Sequence, residues 1–216
     1  MALKRLRSMV RRFFPRRTDP VLDTPPQDSP EDARLEALYA RAVGDHADDF
    51  TRMRFQEGRR WRAVAWRIGA ETDRVLDIGG GNGAVELAFA AGGSAVFSVE
   101  REWNDDVRRI HRAAGLPLRR VIADSAALPF RRDAFSLVLL LETIEHMEDT
   151  RTSAREIERV MREGAMLFIT TPPRWRFLLG ADPHFGIRGL LLLPMPLQRR
   201  IAARRGFTSA DHHVET

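Results

Sequence analysis

The stretch Val75-Leu76-Asp77-Ile78-Gly79-Gly80-Gly81-Asn82-Gly83 runs a short apolar strand into a glycine-rich bend. Glycines there permit positive φ and let a ligand approach the backbone more closely than any Cβ would allow. Alone, such a bend is as readily a tight turn as a binding loop. Two acids give it chemistry. Glu100 ends the following strand, 17 residues after Gly83, where a carboxylate can accept both hydroxyls of a ribose. Asp124, with Ser125 beside it, follows the third strand and puts another polar group at the same edge. Further on, Glu142, Glu145 and His146 recur at i, i+3 and i+4, so one turn of helix would aim all three at a common point.

These groups need a scaffold, and the chain's periodicity supplies one. Strands are predicted at Val75–Ile78, Ala95–Val99, Arg120–Ala123, Phe135–Leu141 and Ala165–Thr170. Helices alternate with them at Gly83–Ala91, Trp103–Ala114 and about Ser153–Arg162, the last stopping at Gly164. Phe135–Leu141 is a near-continuous apolar run of the kind buried on both faces. Strands alternating with helices predict right-handed crossovers and an α/β, doubly wound, Rossmann-like and mostly parallel sheet. Such sheets bind ligands beyond the carboxyl ends of their strands, where the strand order reverses.

In order and in residue type, these motifs resemble the class I S-adenosylmethionine-dependent methyltransferases, in particular their small-molecule enzymes. The resemblance spans about Arg74 to Pro173. Asp77-Ile-Gly-Gly-Gly-Asn-Gly83 is similar to that family's first motif, with Gly79, Gly81 and Gly83 in its G-x-G-x-G positions. The resemblance implies that Asp77 serves the methionine amino group, Glu100 the ribose and Asp124 the adenine amino group. Gly80, Asn82, Ser125 and Glu142 complete the implied cofactor contacts. Leu128-Pro129-Phe130 resembles the adenine-side segment, and Arg162-Glu163-Gly164 the reverse turn before the fifth strand. The expected activity is methyl transfer from S-adenosylmethionine to a small-molecule acceptor, or to a lipid or glycan intermediate.

His146 either buttresses its loop or acts as the base for a hydroxyl acceptor. The E-x-x-E-H run also resembles the divalent-ion site of some O-methyltransferases, with His184, His212 or His213 as the distant ligand. That metal site is the less favoured alternative. A nicotinamide-dependent oxidoreductase competes through Gly79-x-Gly81-x-x-Ala84, but the chain offers no Tyr–Lys arrangement for hydride chemistry, its one tyrosine being Tyr39. A non-catalytic or truncated cofactor-binding module is the other alternative.

The flanks differ from this pattern. Residues 1–17 carry seven basic side chains and no acid, which leaves the remainder of a +5 chain at 5 − 7 = −2. A basic excess confined to a tail argues against a nucleic-acid surface. Leu3, Leu6, Val10 and Phe13 recur there at helical spacing up to Pro15. The tail reads as an amphipathic helix on an anionic membrane, as a solvated basic segment or as a targeting peptide. The expected location is the cytoplasm, with peripheral contact to the inner face of a membrane under the first of these readings. Residues 18–30, with four prolines, read as a linker; 31–70 as a helical cap, broken near Gly44–Asp49; and 71–216 as the cofactor-binding domain. After Pro173 a helix is predicted at Leu197–Arg205, but no sixth or seventh strand can be placed. The expectation is therefore a sheet lacking some C-terminal strands, or a truncated chain. Trp175, Phe177, Leu178 and Phe185, with the Leu190–Leu193 run, form either an apolar acceptor site or a packing face. No cysteine is present, which excludes disulfides and thiolate chemistry, and no apolar run approaches the roughly 20 residues of a membrane-spanning helix.

Overall fold

The computed structural model describes residues 30–44, 49–171, 187, 190 and 193–205. Five strands, β1 (Arg74–Ile78), β2 (Ala95–Glu100), β3 (Arg120–Ile122), β4 (Phe135–Leu141) and β5 (Met161–Thr170), form one parallel sheet in the order β3-β2-β1-β4-β5. The order reverses between β1 and β4. The expected α/β doubly wound architecture is the one found. All seven residues of β4 are buried, because β1 and β5 pair with it and helices cover both faces. The C-terminal segments 172–186 and 206–216, with His184, His212, His213, Trp175, Phe177, Leu178 and Phe185, lie outside the described residues, as do the tail and most of the linker.

Helices α1 (Pro30–Val43) and α2 (Asp49–Arg67) precede the sheet, and α3 (Ala84–Ala91), α4 (Asp105–Ala114) and α5 (Thr150–Val160) are its crossovers. A last helix, α6, spans Met195–Arg204. The cap is not a separate layer with its own interior. Leu35, Tyr39 and Phe55 from α1 and α2 share one apolar cluster with Ala84, Leu87 and Ile110. Gly58 makes the α2–α3 contact possible: a Cβ there would stand 2.9 Å from the Ala88 Cβ and 3.0 Å from the Val85 backbone. On the predicted stripe of α2, Ala65 is buried and Trp61 and Val64 pack against the core, whereas Ile68 is exposed beyond the helix end.

Helix boundaries follow their caps. α4 starts at Asp105 rather than Trp103 because Asn104 accepts from the Asp106 amide at 2.8 Å. α5 starts at Thr150 rather than Ser153 because Asp149 accepts from the Thr152 amide at 3.0 Å. The junction after α5 corrects the sequence reading. The helix ends at Val160, and β5 begins at once at Met161. Pairing then slips from Phe135↔Met161 to Leu137↔Met166, so residues 162–165 bulge out of the ladder with Gly164 at φ +77°. The expected turn is this excursion inside a longer strand. α6 likewise begins two residues early, since Pro196 is tolerated in a first turn.

Candidate cofactor site

β1 delivers Asp77 and the glycine bend to the point of reversal. The Gly79 amide donates to Val99 O at 2.9 Å, tying the bend to β2, and the Gly83 amide closes it on Gly80 O at 2.9 Å. Gly79, Gly81 and Gly83 all have positive φ, from 53° to 78°. At Gly79 a side chain is doubly excluded, because a Cβ would also overlap the Thr143 side chain. At Gly81 nothing lies within 4 Å of the Cβ position, so that face of the bend is open to a ligand.

A cleft of about 250 Å³ opens beside the bend, lined by Gly79, Glu100, Asp124, Ser125, Glu142 and His146 among others. The structure thus gathers six of the residues singled out from the sequence. Glu100 ends β2, and its carboxylate accepts from the Gly81 amide. Asp124 caps a 3₁₀ turn, Ser125–Ala127, through the Ala126 amide at 2.7 Å. Ser125 shares a hydrogen bond of 2.8 Å with Ser153. Beyond them Arg159 donates to the carbonyls of Leu128 and Phe130 at 2.9 and 2.7 Å, and Phe130 packs edge-on against Phe97 and Phe135. The Leu128-Pro129-Phe130 segment is therefore held by Arg159 and the aromatic core behind the cleft, and does not itself line it. Arg101 and Glu148 pair at 2.6 Å across its rim.

Asp77 lies beneath the bend, 1% exposed, and its Oδ2 has no hydrogen-bond partner. Burial, reinforced by the nearby Glu86 charge, pushes its carboxyl up to about 8. A buried acid oxygen with no partner costs free energy unless a ligand donor satisfies it. Glu142 occupies left-handed backbone at φ +56°, and its carboxyl is raised chiefly by burial. Asn82 behaves otherwise than expected. Its Nδ2 donates to Thr51 Oγ1 of α2 at 2.9 Å and its Oδ1 accepts from the Ala84 amide at 3.2 Å, so the side chain clasps the cap rather than facing the cleft.

The metal alternative loses its geometry. Ile144–His146 is a 3₁₀ turn, not an α-helix, and Glu142 precedes it in left-handed backbone. Glu142 and His146 line the cleft, while Glu145 is buried with Oε2 unpartnered. Among the described residues no three His, Asp or Glu side chains could hold a metal ion.

Sequence reading missed Arg54. It comes from α2, is buried, donates to Glu57 at 2.6 Å and reaches toward Leu141 O at 3.5 Å. Its charge acts on both Asp77 and Glu142. Nothing in α2's local pattern marks it, because one of six arginines in that helix is selected only by tertiary packing.

A parallel sheet with this order, and a bare glycine bend flanked by acids at the reversal point, mark the place where open α/β sheets receive ligands. Residues 76–169 match the family described as a methyltransferase domain. Among curated proteins the chain is similar to a ubiquinone biosynthesis O-methyltransferase of Pseudomonas aeruginosa, 28% identical over 148 residues, which covers 67% of this chain and 63% of that one. It is also similar to a demethylmenaquinone methyltransferase of Clavibacter sepedonicus, 30% identical over 119 residues, which covers 52% and 49%. The chain thus spans about 63% of the length of the first of these relatives. Among solved structures, the PH0226 protein of Pyrococcus horikoshii shares the fold with a TM-score of 0.54 at 19% identity, covering 62% of this chain and 64% of that one. An S-adenosylmethionine-dependent methyltransferase of Clostridium acetobutylicum does so with a TM-score of 0.50 at 14% identity, covering 69% and 62%.

Proposed function

We propose that the chain binds S-adenosylmethionine in this cleft and transfers its methyl group to a hydroxyl of a small, quinone-precursor-like acceptor. The observation that carries the reading is the orphaned Asp77 Oδ2, buried beside a bend whose outer face is open. The ligand's ammonium supplies the missing donor, and Arg54 faces the adjoining carboxylate. Glu100 exchanges its bond to the Gly81 amide for the ribose hydroxyls, and Asp124 takes the adenine amino group. The lining carries Glu100, Asp124 and Glu142, with Glu148 paired to Arg101, an acidic excess that suits a sulfonium and disfavours a pyrophosphate. That charge pattern disfavours the nicotinamide alternative.

Bound there, the cofactor supplies an electrophilic methyl and its own leaving group, so the protein contributes positioning and exclusion of water. An acceptor oxygen would gain the methyl carbon as the carbon–sulfur bond gave its electron pair back to sulfur. His146, on the turn that lines the cleft, takes the hydroxyl proton. The names of the quinone-pathway relatives support an acceptor of that class. Turnover of the cofactor to S-adenosylhomocysteine with catechol-type quinone precursors tests the reading: product is expected, and its absence with every acceptor in a cell extract would leave a binding module.

The peripheral membrane contact is proposed for residues 1–17. Among the described residues no helix is long and apolar enough to cross a membrane. Co-sedimentation with anionic vesicles should be lost when residues 1–17 are removed; equal pelleting of both chains would dispose of the anchor.

A further inference from the structure

Beneath the 79–83 bend lies a charged cluster that no ligand contact explains. The Arg120 side chain is completely enclosed, and Glu86 on α3 is 2% exposed. The guanidinium has three directed partners. Nε donates to Ser98 Oγ at 3.1 Å, Nη1 to the Gly81 carbonyl at 2.7 Å, and Nη2 to Glu86 Oε1. The other Glu86 oxygen stands 3.6 Å from Nε2 of the buried His111 on α4. Gly80 rests directly on the pair: a Cβ there would come within 2.5 Å of Glu86 Oε1 and 3.0 Å of Arg120 Nη2. The Gly81 peptides are thus held from two sides, the amide by Glu100 and the carbonyl by Arg120.

Stability alone does not call for this arrangement. A buried ion pair recovers little more than its desolvation cost, and apolar side chains of similar volume fill such a space as well or better. What an apolar pair cannot do is donate to a loop carbonyl. We propose that Arg120 is a positioning residue of the cofactor site: with Glu86 as its counter-charge, it pins the Gly81 carbonyl from below and fixes the bend in the orientation the ligand meets. The inference rests on the reading of residues 79–83 as the cofactor cradle. It also explains why Gly80, which has no positive φ, is glycine.

The test compares the full-length wild type with Arg120→Met and with the pair Glu86→Leu/Arg120→Met. Readouts are S-adenosylhomocysteine affinity by calorimetry, urea stability, and hydrogen exchange of the 79–87 amides without ligand. The single variant leaves Glu86 buried without its counter-charge, so it should lose both stability and affinity. The pair removes both charges and should regain stability, yet bind about tenfold more weakly and exchange faster at the bend, since a hydrogen bond from a charged donor has gone. A double variant that regains wild-type affinity and wild-type exchange together with stability would overturn the proposal. Should the pair not fold, Arg120→Lys keeps the charge but cannot span Ser98, Glu86 and Gly81. It should weaken binding and speed exchange, and unchanged values of both would overturn the proposal equally. A wild type that fails to bind the ligand defeats the cofactor reading instead, and the exchange data then still decide whether Arg120 holds the bend.

Discussion

Substituting Asp77 by Asn should make the protein without ligand more stable while it destroys the ligand site. In the fold this carboxyl is raised from its ordinary value of 3.8 to about 8. Between those two values the native state holds a proton that the unfolded chain releases, so native stability falls as pH rises through the window. The slope is about 1.4 kcal/mol per pH unit, which accumulates to about 4 kcal/mol at pH 7 and levels off above the folded value. Asn keeps the shape and carries no such cost. Urea unfolding of both proteins at pH 5, 6, 7 and 8 isolates the effect of Asp77 and its coupling to Glu86 and Glu100, because groups that do not interact with Asp77 cancel in the difference. Asp77→Asn should gain on the wild type at each step, with a melting temperature higher by roughly 8–16 °C at pH 7 for a domain of this size. Its affinity for S-adenosylhomocysteine should drop by about a hundredfold, the worth of a charge-assisted bond to the ammonium. Parallel pH curves for the two proteins, or an Asn variant weaker than the wild type throughout, would show that Asp77 carries no raised carboxyl in the fold.

Three further outcomes follow from neighbouring contacts. Gly58→Ala puts a Cβ 3.0 Å from the Val85 backbone, and overpacking of about 1–3 kcal/mol should exceed the roughly 1 kcal/mol of helix propensity gained. Because α2 carries Thr51 and Arg54, ligand affinity should fall along with the melting temperature; a stabilised variant would show that the helices are not in contact there. Glu100→Gln should weaken S-adenosylhomocysteine about tenfold or more in calorimetry, yet leave homocysteine-type fragments lacking ribose unaffected. Arg54→Gln should weaken S-adenosylhomocysteine but not methylthioadenosine, which has no carboxylate, and equal losses for both would remove Arg54 from the site.

What the sequence disclosed was local. The near-continuous apolar run at 135–141, seven residues long and interrupted only by Ser136, has the length and composition of a strand buried on both faces, and β4 has the predicted ends. Asp77, Gly79, Glu100 and Asp124 were legible because their spacing is measured from strand ends, and β1 and β2 lie where periodicity put them. Asn104 and Asp149 moved two helix starts by a few residues, since a single capping side chain outweighs the weak propensity of its neighbours. The β5 bulge escaped notice because it depends on register with β4, which no single segment encodes. Arg54 and Arg120 were hidden for the same reason. Each belongs to an arginine-rich chain in which only packing against distant strands tells a buried guanidinium from a solvated one. Asn82 sat in the right motif, but Thr51, 31 residues earlier, claims its side chain.

A crystal structure of the full chain with S-adenosylhomocysteine tests the cofactor site most directly. The ligand's ammonium is expected on Asp77 Oδ2, its ribose hydroxyls on Glu100 and its sulfur above the open face of Gly81. A ligand density elsewhere, or a bend whose outer face is covered while Asp77 stays unpartnered, would contradict that placement.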